Sequence, residues 1–279
     1  MIAPLAFTLL LGGGPRAEPA FGVRWEKSFE QALKMGKAAK KPLMVDFWAS
    51  WCGWCHRLDR TTYVDPRVVR LAEDFVPVKV NTEGGPRESA IAFRYDVGNL
   101  PTVVFVSPSG RMIQRVTGYQ GPGQFPVTLT QARELAARVM GWEASIDQNP
   151  QDAAALLGLG AHLFDEEAYG ESQQLLERAA HADSGRPAGD RKRARLLLGV
   201  IHKSYDQNFA AAEAVLKEAL GIQPPGEYDA KLLYVLGRSY LAWGKRDEAR
   251  ATLQQILDSR PESPVAEKAR ETLVALDRR

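Results

Sequence analysis

Three glycines, Gly160, Gly199 and Gly237, constrain the C-terminal half of this chain more than any other feature. Each closes a leucine-rich frame: Leu156-Leu-Gly-Leu-Gly160, Leu196-Leu-Leu-Gly199 and Leu233-Tyr-Val-Leu-Gly237, with spacings of 39 and 38 residues. Each frame is followed by a second amphipathic run, Leu175-Leu-Glu-Arg-Ala179, Val215-Leu-Lys-Glu-Ala219 and Leu253-Gln-Gln-Ile256. Self-similarity at this period restricts the segment to stacked helix pairs. One amphipathic pair cannot bury its apolar face alone, so each copy needs a neighbour. After Trp142 the composition shifts to Ala, Leu, Glu and Arg and no strand pattern interrupts it. Val265 to Leu276 reads as a capping helix over the last apolar face.

The first half follows a different pattern. Both cysteines of the chain lie in Cys52-Gly53-Trp54-Cys55. A bare pair at this spacing serves as a redox dithiol, half a zinc site or a structural staple. With His56 behind it, the string also matches c-type haem attachment. Zinc needs about four ligands and only His56 is near. Haem needs a distal ligand, for which Met112 and Met140 are the candidates, though both read first as core residues. Leu43 to Trp48 is an apolar run behind Pro42 and reads as a buried strand. His56 to Arg60 reads as helix, so the cysteines sit at a strand-to-helix turn. Free N–H groups and the helix dipole favour a thiolate at Cys52, which makes it the nucleophile. Cys55, one turn on, would resolve the mixed disulfide.

Val45-Asp-Phe-Trp-Ala-Ser-Trp-Cys-Gly-Trp-Cys55 resembles the active-site stretch of the thioredoxin superfamily. Val78 to Glu83 resembles that family's next strand, and Asn99-Leu-Pro-Thr102 its proline loop. Thr102 to Ser107 and Arg111 to Thr117 resemble its hairpin, closed by Gly118. The resemblance covers Phe21 to Trp142, and Asp59 to Val69 resembles thioredoxin-like proteins of bacterial envelopes. It implies an α/β thioredoxin fold, a central mixed sheet flanked by helices, followed by the all-α repeats. It further implies that Asp46 is a buried acid handling the proton of Cys55, with Lys79 beside it. A cis Leu100–Pro101 bond would face the disulfide and offer the Leu100 backbone to an extended substrate. By pattern alone, Asp46 and Lys79 are also readable as exposed strand residues and Pro101 as an ordinary trans proline. Trp51, Gly53, Trp54 and Leu100 form the expected docking surface, with packing as the alternative for the two tryptophans. Trp54 stands where the family usually has proline, and His56 where it has lysine or arginine. Reductase is favoured over oxidase on Asp46 and Gly53.

The second half resembles tetratricopeptide repeats, most closely from Ala230 to Ser263. The middle copy needs one extra residue near Asn208, and linkers such as Asp183 to Asp190 lengthen the period beyond about 34 residues. In that frame Arg193, Lys203, Lys231, Tyr234 and Arg238 face a concave groove suited to a peptide or acidic tail, or else are solvated helix faces. The basic cluster Arg186, Arg191, Lys192, Arg193 and Arg195 reads as a solvated loop entering a helix.

A length of 279 residues with 45% hydrophobic and 25% charged side chains accommodates two globular domains. We expect them at 21–142 and 150–279. The net charge of +2 gives nucleic-acid binding no support. Ile2 to Leu11 is too short to span a bilayer and fits an export signal over residues 1–20, giving a periplasmic location; a cytoplasmic one is the alternative. Two functions compete. One is a protein thiol–disulfide oxidoreductase that needs no cofactor beyond its dithiol, with a partner protein held on the repeats. The other is a non-catalytic scaffold built on the same fold and groove.

Overall fold

The computed structural model describes residues 22–182 and 186–277. The expected export segment lies outside these residues. Helix α1 (Phe29–Ala39) begins where the Ser28 hydroxyl accepts the Gln31 N–H. Helical spacing from Trp25 predicts an earlier start. Trp25 to Lys27 are instead non-helical, because Glu26 exchanges backbone hydrogen bonds with Pro77 and Lys79 at the sheet edge.

The sheet contains β1 (Leu43–Trp48), β2 (Val76–Asn81), β3 (Thr102–Val106) and β4 (Met112–Thr117), in the order β2-β1-β3-β4. β1 runs parallel to β2 and antiparallel to β3, and β3 pairs antiparallel with β4. The C-terminal ends of β1, β2 and β4 therefore share one rim with the start of β3. Besides α1, four helices accompany the sheet among the described residues: α2 (Gly53–Arg57), continued by a π-helical turn over Leu58–Thr62, α3 (Pro66–Ala72), α4 (Pro86–Arg94) and α5 (Phe125–Gln148). Successive strand residues point to opposite faces. Phe47 meets Tyr95, which also meets Phe29 of α1; Asp46 looks the other way, toward Tyr63, against which Phe125 of α5 packs.

The sequence from Gln124 to Met140 reads as helix; α5 continues past it to Gln148 and carries the chain into α6 (Ala153–Asp165) and α7 (Tyr169–His181). The pairs α8 (Ala188–Ser204) with α9 (Phe209–Gly221) and α10 (Asp229–Ala242) with α11 (Arg246–Ser259) follow, and α12 (Ala266–Asp277) covers the end. The repeat glycines are sites of close helix approach. A Cβ on Gly160 would lie 2.9 Å from Leu176, on Gly199 2.5 Å from Leu216, and on Gly237 2.8 Å from Leu253. Each repeat's second helix thus seats a leucine on the glycine of its first. The extra residue near Asn208 lies in the turn 205–208, against 166–168 and 243–245 in the other two copies.

One cluster of buried side chains runs from Phe29 through α5 to Ile201 in α8, so sheet and first repeats share a core. The outer strand β4 is covered as well. The Arg115 N–H donates to Glu166 Oε2 at 3.1 Å, and the Arg115 guanidinium pairs with Asp96 and Glu167, each at 2.9 Å. Burial raises the Glu166 carboxyl above its ordinary range.

The basic cluster at the start of α8 corrects the reading of a solvated loop. Lys192 and Arg195 are buried. Lys192 pairs with Asp229 and donates to the Pro224 carbonyl, while Arg195 holds Glu218 and the Ala180 carbonyl. Long cationic stems cover apolar surface when their heads find acceptors on neighbouring helices.

Candidate active site

Cys52 follows the end of β1 as the N-cap of α2, with extended backbone angles. Its Sγ accepts the Cys55 N–H at 3.1 Å, and its carbonyl accepts the His56 N–H. The cap geometry aims the Cys55 N–H at this sulfur, where it and the helix dipole favour negative charge. Cys52 and Cys55 are joined as a disulfide and both are buried. Ala49, Trp48 and Leu100 pack around them.

Leu100 precedes a cis bond to Pro101. The Pro101 carbonyl accepts the Gly118 N–H, and the Thr102 hydroxyl donates to Asn99. Among the described residues, nothing hydrogen-bonds the Leu100 N–H or C=O. This unused donor and acceptor beside the disulfide can pair with an extended chain.

Asp46 lies fully buried in β1, next to Lys79 in register on β2. Lys79 Nζ is 3.0 Å from Asp46 Oδ2 and 2.5 Å from Asp59 Oδ1. The ammonium is aligned on Asp59, and neither Asp46 oxygen receives a well-aligned hydrogen bond. Three rings surround the same ammonium: Trp25 at 5.2 Å, and Trp48 and Tyr63 at 5.6 Å. Burial holds the Asp46 carboxyl above the ordinary carboxylate range against the pull of Lys79, and the charge of Asp59 adds to the rise. The Tyr63 hydroxyl is pushed well above its ordinary value, by burial first and by Asp46 next. A buried acid with a raised proton affinity is suited to taking and returning a proton near neutrality.

Trp51 and Trp54, at 68% and 54% exposure, stand out from the rim, and Gly53 between them has open space where a side chain would be. Trp51 Nε1 donates to Glu83 Oε1 at 2.9 Å, and Ser50 donates to the other oxygen. Trp54 packs on Tyr119, and the Arg57 guanidinium lies 5.2 Å from the Trp54 ring and 5.1 Å from that of Tyr119. His56 is engaged through Nε2 with the Ser50 carbonyl at 2.9 Å and sits edge-on to Trp48. Among the described residues no group of three or more His, Cys, Asp or Glu side chains is arranged to hold a metal ion. Met112 is buried in β4. Asp59, Tyr63, Arg57, Tyr119 and Glu83 escape sequence reasoning. They come from the end of α2 and the turn that continues it, the turn after β2 and the loop after β4, and no single spacing links them.

On the repeats, Lys203 (α8) and Tyr234 and Arg238 (α10) form one group. Arg238 donates to the Tyr234 hydroxyl at 3.3 Å, and burial, then Arg238, lowers the proton affinity of Lys203. Lys231, about one turn before Tyr234 on α10, lies over the Tyr228 ring, and Arg193 is exposed on α8.

A dithiol on a helix cap, backed by a buried acid and faced by a cis-proline loop, defines the thioredoxin class of site. The thioredoxin-like family matches residues 24–108, and tetratricopeptide-repeat families match 133–187 and 205–273. This chain belongs to the thioredoxin superfamily and carries C-terminal tetratricopeptide repeats. It is similar to the thiol:disulfide interchange protein DsbD of Vibrio vulnificus, 30% identical over 106 residues, which are 37% of this chain. DsbD of Salmonella typhi is 34% identical over 102 residues, 36% of this chain. The match spans 18% of the length of each of these relatives. A solved thioredoxin from Thermus thermophilus is 31% identical, covering 39% of this chain and 86% of its own, with a TM-score of 0.36. Among the described residues no helix is long and apolar enough to cross a membrane.

Proposed function

We propose that the chain is a thiol–disulfide oxidoreductase acting on protein disulfides, and that its repeats hold a client or redox partner. The observation that carries this reading is the Cys52–Cys55 pair on the α2 cap beside the open Leu100 backbone. In the reducing direction, the Cys52 thiolate attacks one sulfur of a target disulfide. The Cys52–target bond forms, the target S–S bond breaks, and the departing thiolate takes a proton from solvent. Cys55 then gives its proton to the Asp46 carboxylate and attacks Cys52 Sγ. The second target thiol leaves, and the protein becomes the Cys52–Cys55 disulfide, having given up two electrons. Trp51, Gly53, Trp54 and Leu100 seat the target, and Lys79 holds Asp46. His56 serves as a packing residue. The reducing direction is favoured by the buried Asp46, which suits release of Cys55 as the attacking thiolate. An external dithiol donor would restore the pair.

Lys203, Arg238 and Tyr234 give the repeats a basic, hydroxyl-bearing face for an acidic segment, with Arg193 and Lys231 at its margins. The periplasmic assignment rests on the Ile2–Leu11 run and on the resemblance of Asp59 to Val69 to envelope proteins.

A Cys55→Ser variant in the native cell tests the reading, because it stalls the reaction after the first step. Mixed disulfides through Cys52 are expected, together with insulin-disulfide reduction by the wild type that Cys52→Ser abolishes. Activity of Cys52→Ser equal to wild type would establish the scaffold reading instead.

A further inference from the structure

The rim that carries the disulfide is electrically polarised from one sheet edge to the other. At the β2 edge, Glu83 follows the strand, and its carboxylate is fixed by Trp51 Nε1 and the Ser50 hydroxyl. At the β4 edge, Tyr119 follows the strand and, with Trp54, holds the Arg57 guanidinium between two rings. Tyr119 is itself fixed by a 3.1 Å hydrogen bond with Thr61. Among the described residues Glu83 has no cation and Arg57 no carboxylate within ion-pairing distance. Both are exposed. Two pre-positioned charges of opposite sign, without an opposite charge at ion-pairing distance among the described residues, thus flank the disulfide and the open Leu100 backbone.

We propose that Glu83 and Arg57 set the direction in which a disulfide-bearing peptide segment docks, selecting a basic side chain on the Trp51 side of the reacting cysteine and an acidic one on the Trp54 side. The proposal rests on the thiol–disulfide exchange reading above and adds a specificity to it. Three interstrand steps of about 4.8 Å put the edges roughly 14 Å apart. An extended chain covers that distance in about four residues. The complementary charges therefore belong about two residues before and two after the target cysteine. The Leu100 N–H and C=O fix the backbone between them, so only one sequence order satisfies both charges. Charges at the margin of a docking site act mainly on association and its salt dependence, and they suppress the mismatched partner.

The test uses the full-length protein and two disulfide-linked peptides of identical composition. One has Glu two residues before Cys and Lys two residues after, and the other has the reverse order. Equal net charge removes any non-directional steering. One order is expected to react with a kcat/KM about three- to tenfold higher at low salt. The preference should collapse toward unity at about 0.5 M salt, where screening shortens to roughly 4 Å. The double reversal Arg57→Glu with Glu83→Lys should invert it. Equal kcat/KM for both orders at low salt, or a preference that persists in the reversed protein or at high salt, overturns the proposal. If the reversed protein fails to fold, the salt dependence of the wild type decides alone. Failure of wild type to reduce either peptide refutes the exchange reading itself and is a distinct outcome.

Discussion

Replacing Asp46 by Asn removes a charge the fold buries at a cost. Asp46 is fully buried and neither oxygen has an aligned hydrogen bond. Leaving a buried polar group unsatisfied costs about 1–3 kcal/mol, and more when it is charged. Removing one partner of a buried ion pair usually strands the other. Here it does not, because Lys79 keeps Asp59 at 2.5 Å. Asp46→Asn is therefore expected to stabilise the oxidised protein by about 1–3 kcal/mol at pH 8, a Tm rise of about 2–4 °C per kcal/mol for a chain of this size. The pH dependence has a definite sign. The folded-state pKa of Asp46 is raised above its unfolded value of about 3.9. Between the two values the folded chain binds a proton that the unfolded chain releases, so wild-type stability falls as pH rises through that window. The advantage of Asn is absent below the unfolded pKa, grows through the window and is complete above the folded one. The same variant should slow release of the mixed disulfide, since Cys55 loses its proton acceptor. Thermal unfolding at several pH values, with the pair kept oxidised, reads the first effect, and single-turnover insulin reduction reads the second. A variant less stable than wild type at pH 8 would mean that the Lys79 pair outweighs desolvation, and the reasoning would fail.

Asp59→Asn should move the pH–rate profile of the resolving step to lower pH, because the Asp59 charge raises the Asp46 pKa and Asp59 competes for Lys79; an unmoved profile would separate Asp59 from the proton path. Gly199→Ala should destabilise by about 1–3 kcal/mol, since its Cβ would lie 2.5 Å from Leu216. Gly141→Ala, in α5 with open space around it, should instead stabilise by about 0.5–1 kcal/mol, and guanidinium unfolding of the two variants compares them directly. Deleting residues 149–279 should expose the shared core and the β4 edge to self-association. Light scattering that shows a stable monomer would contradict this, and partner choice is better tested by Lys203→Glu with Arg238→Glu in the full chain.

Much of the architecture was legible because it rests on local pattern. β1 is an apolar run ended by the cysteine turn, and the glycine frames mark the repeat helices, so both fall where the sequence places them. The Leu100–Pro101 loop and the Asp46–Lys79 neighbourhood needed the family resemblance, since a lone proline or strand lysine carries no such signal. The start of α1 was misplaced because Trp25 to Lys27 have helical spacing, yet Glu26 pairs with β2 far along the chain. Lys192 and Arg195 were misread because their acceptors, Asp229, Pro224, Glu218 and Ala180, lie on other elements.

By itself the sequence determined which residues form strands and helix pairs and that the chemistry centres on two cysteines, because periodicity and motif are properties of neighbouring residues. Only the tertiary structure decided what surrounds that centre. It brought Asp59 and Tyr63 to Asp46, set Glu83 and Arg57 at opposite edges of one rim, and joined the sheet to the first repeats through one core. Burial and electrostatic coupling depend on distances between separate segments of the chain, which the order of residues alone does not fix.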